Sequence, residues 1–97
     1  YIGGMGARDK NFYNDYTKRL GYEDAAVKIQ DAFLAGRRAE AVAAVPDELV
    51  DATSLVGSAD RIQGRVREWR AVAADHSIGS MLMSIKDIDT LRVVAQA

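Results

Sequence analysis

From residue 55 onward the chain alternates twice between a short apolar run and an amphipathic stretch, and that alternation constrains its fold more than any other feature. Leu55-Val56 is a short apolar run closed by Gly57-Ser58. An amphipathic stretch over 58–74 follows, then the apolar run 78–85, then a last periodic segment over 87–97. Strand–helix units in alternation build parallel sheets with helices on the outside. Parallel strands are normally covered on both faces and flanked by further parallel strands, which two strands cannot supply. The expected fold class is therefore α/β, with this chain mostly helical and carrying one or two short parallel strands. The chain starts at Tyr1 rather than methionine, so the expectation is the end of a longer polypeptide.

Of the 97 residues, 48% are hydrophobic and 28% charged, the balance of a globular protein with a modest core. The 13 basic and 14 acidic side chains are spread along the chain and leave a net charge of −1. No basic block offers a footprint for nucleic acid, and Arg37-Arg38 is only a pair at a helix start. With no cysteine and one histidine there are no disulfides and no metal-ligand spacing. The lack of cysteine fits a cytoplasmic protein. No apolar run approaches the ~20 residues of a membrane helix, and no signal peptide is visible.

Residues 8–52 read as a string of short helices without strands. Phe12, Tyr13 and Tyr16 fall at helical spacing before the stop signal Gly21, and Tyr13, Tyr16 and Tyr22 are expected to pack this helical region rather than stack on a cofactor. Over 23–35, Ala26, Ile29, Phe33 and Leu34 form an apolar stripe, Glu23 and Asp24 suit the first turn, and Gly36 ends the helix. The alanine-rich stretch 38–44 is helical by propensity; Pro46 breaks it and Pro46-Asp47-Glu48 opens another helix. The best-defined helix runs over 58–74, with Ser58 as N-cap and a stripe of Ile62, Val66, Trp69 and Ala73. Trp69 reads as core, and Gly64 as a point of close packing. Asp87 caps the last helix.

His76 beside Asp75 has the makings of a general base with an orienting carboxylate. A helix-to-strand turn lies at the wrong end of a parallel sheet for an active site, so His76 reads as a solvated turn residue. Gly57-Ser58 precedes a helix N-terminus, where main-chain N–H groups can meet a phosphate, although capping alone explains the serine. Ser84, Ile85 and Lys86 close the second apolar run, where Lys86 reads as a loop lysine. Three glycines in four residues at Gly3-Gly4-Met5-Gly6 point to a close main-chain approach or a turn. Met5 and Phe12 are placed to line an apolar pocket. No catalytic residue and no metal site emerge from these positions.

The stretch Tyr1-Ile-Gly-Gly-Met-Gly-Ala-Arg-Asp-Lys-Asn-Phe-Tyr-Asn-Asp15 resembles a segment late in luciferase-like flavin and deazaflavin oxidoreductases. The likeness continues through Ile29-Gln-Asp-Ala-Phe-Leu-Ala-Gly36, Val45-Pro-Asp-Glu-Leu-Val-Asp51, Ser54-Leu-Val-Gly-Ser58 and Asp60-Arg-Ile-Gln-Gly-Arg-Val-Arg-Glu-Trp69. It covers most of the chain in order, and the nearest branch uses coenzyme F420, a 5-deazaflavin. The resemblance implies the C-terminal part of a (β/α)8 TIM barrel. Residues 1–52 would be a helical insertion near the active-site mouth, and 53–97 the terminal strand–helix units. The family's tight Gly-Val turn before the last strand is replaced here by Ala74-Asp-His-Ser-Ile78.

The implied function is hydride transfer between a deazaflavin and an organic substrate, with the catalytic residues upstream. Gly57 and Ser58 are the cofactor-side candidates, and Met5, Arg8 and Asn11 the substrate-pocket or lid candidates. The implied cofactor is F420, with FMN as the alternative. The expected partners are a small-molecule substrate and, for the full-length protein, further copies of itself, without nucleic acid or membrane. A free-standing helical module that binds partner proteins through residues 8–52 is the reading from a different class.

Overall fold

A computed structural model describes residues 1–97, and it contains six helices and no strand. They are α1 (Phe12–Arg19), α2 (Glu23–Leu34), α3 (Arg38–Ala43), α4 (Asp47–Thr53), α5 (Ala59–Ala74) and α6 (Ile88–Ala95). Three of them, α1, α5 and α6, begin at a side-chain cap. The side chains of Asn11, Ser58 and Asp87 accept hydrogen bonds from the main-chain N–H three residues on, at 3.0, 3.3 and 2.7 Å. Pro46 precedes α4. Gly21 and Gly36 follow α1 and α2 with φ of +97° and +80°, the left-handed turn that glycine adopts without strain.

The expected α/β architecture, a portion of a TIM barrel with short parallel strands, is overturned. Leu55-Val56 and the run 78–85 are irregular, and no main-chain hydrogen bond joins either to another segment. An apolar run becomes a strand only when its N–H and C=O groups meet a second extended segment. Neither run finds one, and Leu82 stands 97% exposed.

The chain divides into two compact units, Tyr1–Thr53 and Ser54–Ala97. In the first, α2 packs against both α1 and α3. Its core joins Ile29, Ala32 and Ala41, with Ile2, Phe33, Ala44 and Val45 around them. Ala26 and Leu49 are buried as well. Alanines at the contacts let helix axes come close, so this core is small and tight.

In the second unit, α5 packs against α6, and Gln63 Nε2 on α5 donates to the Val93 carbonyl at 3.3 Å. Of the expected α5 stripe only Val66 is buried; Trp69 is 41% exposed, which corrects its assignment to the core. Gly64 has nothing within 4 Å of where a Cβ would stand, so no close contact explains it. No helix is long and apolar enough to cross a membrane.

Candidate functional site

The N-terminal segment that carries three of the sequence candidates is held by buried side-chain amides. Asn11 is 1% exposed: its Oδ1 caps α1, and its Nδ2 donates to the carbonyls of Tyr1 at 3.2 Å and Ile2 at 3.0 Å. Asn14, on the inward face of α1, donates from Nδ2 to the Ile2 carbonyl at 3.1 Å and to Ala26 O on α2 at 2.8 Å. Buried Gln30 on α2 donates to the Arg8 carbonyl at 3.4 Å. The bonds to Ile2 and Arg8 satisfy main-chain oxygens of irregular chain. Asn14 Oδ1 is the exception, buried without a partner.

Between these anchors Gly3 and Gly4 lie against Phe33. A Cβ on Gly3 would stand 2.6 Å from Phe33 Cβ, so the close approach read from the glycine cluster is present. Met5 lies beyond it, 55% exposed. Arg8 forms an ion pair with Asp31 of α2, both side chains about half exposed. The structure thus places Met5 and Arg8 on one exposed segment and Asn11 beneath it. Every polar atom of Asn11 is engaged in holding the chain.

Sequence reasoning did not single out Asn14, Gln30 or Asp31. The available signal was the spacing of Asn11, Asn14 and Thr17 along one helical face, which are all buried. That face being polar, the aromatic residues of α1 point outward: Phe12 is 66%, Tyr16 47% and Tyr13 39% exposed. This corrects the expectation that Tyr13 and Tyr16 pack the helical region. They form a continuous surface row with Tyr1, with Tyr1 and Tyr13 edge-on at 4.9 Å, Phe12 and Tyr13 at 5.5 Å, and Phe12 parallel to Tyr16 at 6.1 Å. Tyr22 is half-buried.

The Gly57-Ser58 loop is closed by its own helix. Ser58 Oγ accepts from the Arg61 N–H, Arg61 Nε donates to Val56 O at 3.3 Å, and Arg65 donates to Ser54 O at 2.9 Å. A Cβ on Gly57 would lie 2.6 Å from Arg61 Cδ. The Arg61 side chain therefore lies over this glycine.

His76 and Asp75 do not form a dyad. Asp75 Oδ1 accepts from Ser77 N at 2.9 Å, and its hydrogen bonds with Ser77 hold the carboxyl below its ordinary range. Lys86 and Ser84 are exposed. No group of histidine, cysteine or acidic residues could hold a metal ion. Concavities also lie away from these residues. An apolar groove of about 260 Å³ runs between α5, α6 and residues 78–83, lined by Val66, Trp69, Ile78, Met81 and Val94. A cleft of about 500 Å³ between α2 and α3 carries Lys28, Asp31, Arg37 and Glu40.

An exposed glycine-rich segment fixed from beneath by buried amides is a scaffold element, and comparison with known proteins says whose. The luciferase-like monooxygenase family matches residues 1–76, and the chain belongs to that family. It is 39% identical over 71 residues to Rv3520c of Mycobacterium tuberculosis, a protein whose name proposes a coenzyme F420-dependent oxidoreductase. Those residues are 73% of this chain and 20% of that protein, so the chain spans about a fifth of its relative's length. No solved structure matches the chain significantly.

Proposed function

We propose that these residues are part of a coenzyme F420-dependent oxidoreductase that moves hydride between the deazaflavin and an organic substrate. The observation that carries this reading is the 39% identity to a relative named for F420. A deazaflavin supplies a ring carbon that takes up or gives back hydride, and the protein supplies position and electrostatics. Gly57 and Ser58, with the Arg61 side chain beside them, are this chain's candidates on the cofactor side. On the substrate side the candidates are Met5, Arg8 and Asn11. Met5 and Arg8 line the pocket or its lid, and Asn11, with Asn14 and Gln30, is a positioning residue that keeps their segment in one conformation.

FMN is the second reading, because the family description names monooxygenases of the luciferase type. The two are separated by titrating the full-length protein with F420 and with FMN and following cofactor fluorescence. Tighter binding of F420, followed by its reduction or oxidation in the presence of substrate, is the expected result. Preference for FMN overturns the assignment.

A further inference from the structure

We draw no further inference here: the strongest candidate, the apolar groove between α5, α6 and residues 78–83 that Trp69 and Met81 line, carries nothing, because nothing in the structure shows what covers it.

Discussion

The side-chain amide of Asn14 donates to the main-chain oxygen of Ala26 at 2.8 Å, with Asn14 1% and Ala26 0% exposed. This one bond ties α1 to α2 at a point water does not reach, while the same amide group also holds Ile2. The first unit is therefore fastened by a polar bolt beside an alanine-rich core.

Replacing that bolt should be costly. Asn14→Ala removes the bonds to the Ile2 carbonyl, which keeps Asn11 as a donor, and to the buried Ala26 carbonyl, and the expected loss is about 1–2 kcal/mol. A urea titration followed by circular dichroism measures it as a lower midpoint. A change within error of zero would mean that the Asn14 bonds add no net stability.

The glycines against Phe33 should differ in sensitivity. A Cβ on Gly3 meets Phe33 Cβ, which is fixed to the main chain, at 2.6 Å and lies 3.2 Å from the Ile29 carbonyl. On Gly4 it meets only the far edge of the ring, which can swing aside. Gly3→Ala is expected to cost about 1–3 kcal/mol and Gly4→Ala less. In a Phe33→Ala background the Gly4 penalty should vanish while part of the Gly3 penalty remains, a difference read by a double-mutant cycle.

Acid should loosen α6. The main-chain N–H of Thr90 and then its hydroxyl hold the Asp87 carboxyl below its ordinary range, with bonds of 2.7 and 2.8 Å. A carboxyl with a depressed folded-state pKa adds stability that is fully present above its unfolded value. That stability is lost as pH falls through about 4 and on toward the folded value. Thr90 and its neighbours should show increasing amide exchange over that range by NMR. In Asp87→Asn the pH dependence at these amides should flatten.

His76 adopts φ +64°, the left-handed turn that ends α5, where a side chain is strained. His76→Gly should raise the stability of the second unit by up to about 1 kcal/mol, and His76→Val should lower it. Thermal melts of the two variants give the ordering. The reverse order would show that the imidazole makes a compensating contact.

The helices were legible because their signals are local. Ser58 and Asp87 cap, Gly21 and Gly36 stop, and Pro46 breaks within a turn of the residues they act on, and all six helices stand at or near the expected places. The family was legible too, since 71 residues of ordered likeness survive whatever the chain folds against. Of the candidate site, the close approach at Gly3-Gly4 was one of the alternatives the glycine cluster offered, and the structure shows it against Phe33. The partners Asn14, Gln30 and Asp31 were not legible, because nothing in a polar helix face says which carbonyl it will meet.

What the sequence determined by itself is where this chain turns helical and where each helix stops, since capping and propensity act over a few residues. Tertiary structure alone decided that residues 78–85 stay unpaired, that Trp69 remains half open and that α1 shows its aromatic side to solvent. A strand needs a second segment and a buried face needs something to bury it, and neither is written in the spacing of the residues concerned.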